Sequence, residues 1–140
     1  MGDEREPEQL RWLQRRTAGR AEELPGAELS HPFGDEYDVW RVRGKVFMIH
    51  TAVTGEPIVI LKAAPEAARF LREAHAHITP GYHMNKRHWI TVHPGGDFDD
   101  ELLDDLVTES YLLVIEKNLL VIEKNVPRRE RPVDPETFGR

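Results

Sequence analysis

The sequence of 140 residues contains no cysteine. That excludes a disulfide framework and a thiolate metal site, and it points to a reducing cytoplasm rather than a small secreted scaffold. No apolar run is long enough to cross a bilayer, and the opening MGDEREPEQL is acidic and lacks an apolar h-region. Membrane spanning and secretion are therefore both disfavoured. Positive charge is also short, with 19 Lys and Arg against 25 Asp and Glu for a net charge of -6, so any contact with phosphate must come from a local basic patch. The 39% of hydrophobic residues is enough for the core of one ordinary domain.

Taken in order, Pro7 suits a first helical turn and introduces EQLRWLQRRTAGR, whose Leu10, Trp12 and Leu13 form an apolar face; the spacing predicts a helix ending near Gly19. Arg11, Arg15, Arg16 and Arg20 make that helix basic, either as a phosphate-facing stripe or as a solvated face, and the second is the commoner fate of such a run. Asp38 to His50 reads as a hairpin turning at Arg43 and Gly44. A two-residue turn predicts that Val42 pairs with Lys45 and Trp40 with Phe47. Trp40, Val42, Phe47 and Ile49 then share the core face, and Val39, Arg41, Val46, Met48 and His50 take the other. Arg43 and Lys45 crowd the tip with charge, which serves either a nucleic-acid contact or edge protection.

PIVILK has the length and β-branched content of a buried central strand. Pro65 then opens a helix whose Ala67, Phe70, Leu71 and Ala74 are spaced to face the sheet, with His75 and His77 near its end. After RHWITVH, which alternates as a strand does, HPGGDF makes a turn, and Asp97 is a plausible cap for the last helix. In that helix the heptapeptide LLVIEKN occurs twice without a gap, Leu112 to Asn118 and Leu119 to Asn125. Seven residues return within about 20° of the same helical face, so the duplication extends the apolar stripe in phase, to a helix about 40 Å long from Asp99 to Asn125. A strand or a looped-out copy are the competing readings. An overhanging helix would expose Leu119, Leu120 and Ile122 and favour a homodimer through them. Residues 126–140 are proline-broken and charged, and an extended or disordered tail is expected there beyond a single domain over 1–125.

The densest chemistry lies in PGYHMNKRHWITV, Pro80 to Val92. Lys86 and Arg87 supply phosphate-seeking charge, His83 and Asn85 can hydrogen-bond phosphates or bases, and Tyr82 and Trp89 can stack on a base. Lys86, Arg87, His83, Asn85 and Tyr82, with Arg41, Arg43 and Lys45 from the hairpin, form the candidate DNA-binding set. A structural role competes, in which Tyr82 and Trp89 are core aromatics and Lys86 and Arg87 neutralise the acidic last helix. His83, His88 and His93 with Tyr82 could form an acid-base pocket, yet no nucleophile accompanies them, and His75, His77 and His83 make a poor zinc set. No catalytic activity, metal or cofactor is expected.

LPGAELSHPFGDEYDVWRVRGKVFMI, PGYHMNKRHWITV and DELLDDLVTESYLLV together resemble the MmcQ/YjbR family, over roughly residues 24–117. The resemblance implies an α+β fold, an antiparallel sheet flanked by helices of the YjbR-like, secretion-chaperone-like kind, similar to a phage double-wing domain and here with a long C-terminal helix. It also implies a DNA-binding label that rests on shape.

Overall fold

The computed structural model describes the backbone of residues 7–123 and the side chains of residues 11–116. The elements are α1 (Pro7–Glu23), β1 (Ala27–Ser30), β2 (Tyr37–Val42), β3 (Lys45–Thr51), β4 (Ile58–Lys62), α2 (Pro65–Ala74), β5 (Ile78–Pro80), β6 (Trp89–Val92) and α3 (Asp100–Glu123). The six strands form one sheet in the order β1-β2-β3-β4-β6-β5, and every neighbouring pair is antiparallel. The α+β architecture is the expected one. Helices α1 and α3 bury Leu13, Ala21, Leu103, Val107, Tyr111 and Ile115 against Phe47, Met48, Val59, Leu61 and Ile90 on one sheet face. On the outer face a second cluster joins Val39, Ile49, Ile58, Ile60 and Trp89, with Tyr37, Val46, Tyr82 and Met84 packed over it. The central strands are thus buried on both sides, which is why PIVILK is apolar throughout.

The hairpin register differs from the expected one. Val42 pairs with Lys45 and Arg41 with Val46, but Trp40 pairs with Met48, leaving Phe47 as an extra residue in β3. This bulge turns both Phe47 and Met48 toward the helices and flips every later residue. Met48 and His50 therefore join Trp40 on the helix face, and Ile49 moves to the outer face with Val39. The bulge also opens the ladder between β3 and β4, whose pairing stops at Met48 and Leu61. Ser110 of α3, fully buried, fills the gap: its hydroxyl donates to the Phe47 carbonyl at 2.5 Å and accepts from the Lys62 amide at 2.9 Å.

Three boundaries and faces also shift. Helix α1 runs past Gly19 to Glu23 because Ala21 is buried, and core packing outweighs the ~1 kcal/mol cost of a helical glycine. Two of the four α1 arginines are tied to other side chains, whereas Arg11 and Arg15 are exposed. Arg16 donates twice to Asp104 and lies 3.6 Å from Asp100, so it is Arg16, not Lys86 and Arg87, that neutralises the last helix, while Arg20 donates to Thr108 of that helix and to Glu23. In α2 the buried residue is Ala68, with Leu71 packed beside it, whereas Phe70 is 67% exposed; the helix is rolled away from the predicted face. Asp99, not Asp97, caps α3, accepting from the Leu102 amide at 2.8 Å. Helix α3 continues through Glu123, so the backbone of the second heptapeptide is helical as far as that residue, as the in-phase repeat predicts. The side chains of Leu119, Leu120 and Ile122 and the tail at 126–140 lie outside the described residues. No described helix is long and apolar enough to cross a membrane.

Two outcomes follow from the core. Ser110→Ala leaves the Lys62 amide and the Phe47 carbonyl without their partner, and urea unfolding is expected to show a loss of about 2–3 kcal/mol. His50 is 4% exposed, and burial pulls its imidazole from 6.5 down to about 4, against an opposing effect of Asp38. Because the unfolded chain takes up this proton first, stability falls as pH drops from about 6.5 to about 4. The difference between wild type and His50→Gln should change by about 3 kcal/mol over that window.

Candidate nucleic-acid interface

The chain between β5 and β6 is held by close approach. Gly81 donates its amide to the Trp89 carbonyl at 2.9 Å, and a Cβ at position 81 would lie 2.5 Å from the Trp89 Cβ. Only glycine fits there. Thr91, on the outer face of β6, accepts from the Tyr82 amide at 2.8 Å and donates to the Pro80 carbonyl at 3.0 Å. Lys86 Nζ donates back to the Gly81 carbonyl, and Asn85 Oδ1 accepts from the Arg87 amide at 2.9 Å. Lys86 and Asn85 thus close the 81–88 loop on itself. The loop presents His83, Lys86 and Arg87 to solvent, with the Tyr82 and His83 rings 4.1 Å apart.

The β2–β3 turn is a two-residue hairpin with φ of 54° at Arg43 and 77° at Gly44, the mirror-image turn that suits twisted strands. Arginine has no preference for that conformation. Among the described residues Arg43 and His83, the latter at φ 57°, are the non-glycine residues with positive φ, and both belong to the candidate set. Each such residue costs about 1–2 kcal/mol, a cost that concentrates at functional surfaces.

Strand direction brings the two loops together. β2 ends at the Arg43 turn, β4 runs parallel to β2 and ends at Lys62, and Lys62 pairs with Trp89, the first residue after the 81–88 loop. Both loops therefore project from one end of the sheet, three strand spacings or about 14 Å apart. Between them on the outer face lie Arg41, Val46, Trp89 and Lys62, whose ammonium sits 5.4 Å from the Trp89 ring centroid. Arg41 Nε is buried without a hydrogen-bond partner, and Glu28 of β1 is its cross-strand neighbour. Lys45 is exposed at the tip.

All eight candidate residues thus gather at one end of the sheet. Lys62 belongs with them but escaped the sequence reading, because its place beside Trp89 depends on the β4–β6 register; its parity with Ile58 and Ile60 is the only local hint. The histidine pocket does not assemble. His93 lies at the other end of β6, with Nδ1 2.7 Å from Glu56 Oε2 and Nε2 2.8 Å from Thr79 Oγ1, and His75 is 3.9 Å from Asp97.

A family model described as YjbR matches residues 22–113. The chain is 45% identical over 100 residues to the uncharacterised protein YbdF of Escherichia coli O157:H7, covering 71% of this chain and 82% of that protein. It is 37% identical to the uncharacterised protein YjbR of E. coli K12, covering 62% and 74% respectively. Among solved structures it is similar to a Deinococcus radiodurans protein with a DUF419 domain, at a TM-score of 0.66 and 37% identity over 71% of this chain and 76% of that one. A Pseudomonas syringae protein superposes with a TM-score of 0.61 at 27% identity, over 71% of this chain and 97% of that one.

The loop is testable through its glycine. Gly81→Ala forces apart the loop and β6, and thermal or urea unfolding is expected to show a loss of about 1–3 kcal/mol.

Proposed function

The chain belongs to the YjbR family, and from that premise we propose that it is a nucleic-acid-binding module that holds a sugar-phosphate backbone between the 81–88 loop and the β2–β3 turn. One observation carries this reading: the strand order delivers two cationic loops, each with a residue in the left-handed conformation, to the same end of the sheet. Their separation of about 14 Å equals the rise of roughly four base pairs along the axis of a duplex. Arg87 and Lys45 are exposed point charges for phosphate, and Tyr82 with His83 offers a ring surface on which an unpaired base can stack. Lys86 and Asn85 contribute by shaping the loop.

The net charge of -6 calls for measurement at low ionic strength. Fluorescence anisotropy with a labelled single strand and the matching duplex is expected to show binding that weakens as salt rises. Lys45→Ala with Arg87→Ala should lower affinity for all sequences alike and reduce the log-log salt slope by roughly 0.7–0.9 per cation removed. No binding at low salt, or binding that the double substitution leaves intact, would refute the proposal.

A further inference from the structure

At the opposite end of the β2–β3 hairpin from the cationic turn, a cavity of about 330 Å³ opens between α1 and the strands. Its polar lining is Arg11, Gln14, Asp35, Glu36, Asp38, His50 and Thr51, whose hydroxyl proton is spent on the Glu36 carbonyl. The size is at the lower end for small-molecule sites.

The hydrogen bonds at its base fix which way each group points its protons. Thr17 Oγ1 lies 2.9 Å from the Leu13 carbonyl and 3.2 Å from the Gln14 carbonyl, and both can only accept, so its single proton is spent on the helix. His50 Nε2, 2.9 Å from the same oxygen, must then be the donor. Burial keeps this imidazole neutral at pH 7, so Nδ1 carries a lone pair and no hydrogen. No described residue donates to that nitrogen. Gln14 uses both amide hydrogens on the Thr51 and Ile58 carbonyls, at 3.1 and 3.0 Å, and has only its oxygen left to offer. Asp38 stands directly across from His50 in the strand pairing and is steadied by His31, 2.8 Å from Oδ1.

Apart from Arg11, the charged and amide groups of the cavity can therefore only accept hydrogen bonds. Such a lining selects a ligand rich in N–H donors. Among the described residues no three His, Asp or Glu are grouped to ligate a metal, so a polyatomic cation fits where a bare ion does not. Arg11 answers the opposite charge and suits a carboxylate. We infer that this cavity binds a small cationic amino acid, its ammonium and side-chain cation held by Asp35, Asp38, Glu36 and His50 Nδ1, and its carboxylate by Arg11. The site is separate from the nucleic-acid interface and does not depend on it.

The test is a titration of the full chain, followed by amide chemical shifts, with L-arginine and L-lysine as probes and norleucine and agmatine as comparators. Saturable shifts around His50 and Asp38 are expected with L-arginine or L-lysine, and norleucine, which lacks the side-chain cation, should give none. Asp38→Asn and Glu36→Gln should each weaken binding about tenfold, with the fold checked by circular dichroism. Arg11→Ala should bring arginine down to the affinity of agmatine, which has no carboxylate. Lys45→Ala with Arg87→Ala should leave all of this unchanged. No saturable shift at about millimolar ligand, or norleucine binding as well as lysine, overturns the inference.

Discussion

Much of this fold hangs on one hydroxyl group. The extra residue at Phe47 bends β3 and removes a rung from its ladder with β4, and Ser110 restores the rung by bonding both the Phe47 carbonyl and the Lys62 amide. A buried backbone donor and acceptor left open would each be costly, so the position of α3 over the sheet is constrained by this bridge as well as by apolar packing. Tyr111, next in the helix, reinforces the placement: its ring meets Phe47 edge-on at 5.6 Å and its hydroxyl donates to the Pro25 carbonyl. The same bridge sets where β4 ends, and with it the Lys62 side chain over Trp89. A local defect in the sheet, repaired from the helix layer, thereby shapes the surface on the other side.

Charge is segregated along the hairpin. Arg43 and Lys45 lie at its turn, and Asp35, Glu36 and Asp38 lie around the start of β2, upwards of about 15 Å from Arg43 by the rise of five or more residues. That distance exceeds the screening length of about 8 Å at physiological salt, so the two ends act on their surroundings independently. A net charge summed over the chain hides this division. An acidic protein can present one cationic end for phosphate and one acceptor-lined cavity for a cation without either field cancelling the other.

Patterns that depend only on neighbours in the chain were readable. The β2–β3 turn, the uninterrupted apolar strand β4, the proline that opens α2 and the in-phase heptad of α3 follow from local periodicity and turn chemistry, and the structure has each of them. Patterns that depend on a partner were not. The bulge at Phe47 reversed the faces of Met48, Ile49 and His50, because a strand shifted by one residue presents its other side. Phe70 carries helical spacing yet stands in solvent, since periodicity names a face and not what lies opposite it. The candidate set gathered at one end of the sheet, while Lys62 stayed invisible until the β4–β6 register was known.

Composition, local periodicity and the PGYHMNKRHWITV block determined the class of domain, its family and the segment where phosphate-seeking groups concentrate, because those properties are written in side-chain type and short-range spacing. Only the tertiary structure decided which arginines are spent inside the molecule, as Arg16 is on Asp104, and which face outward. It alone placed Asp38 across from His50 and turned the lone pair of that buried imidazole to account. The reason is physical: a hydrogen bond or an ion pair between residues far apart in sequence depends on register and helix placement, and one bulge is enough to change both.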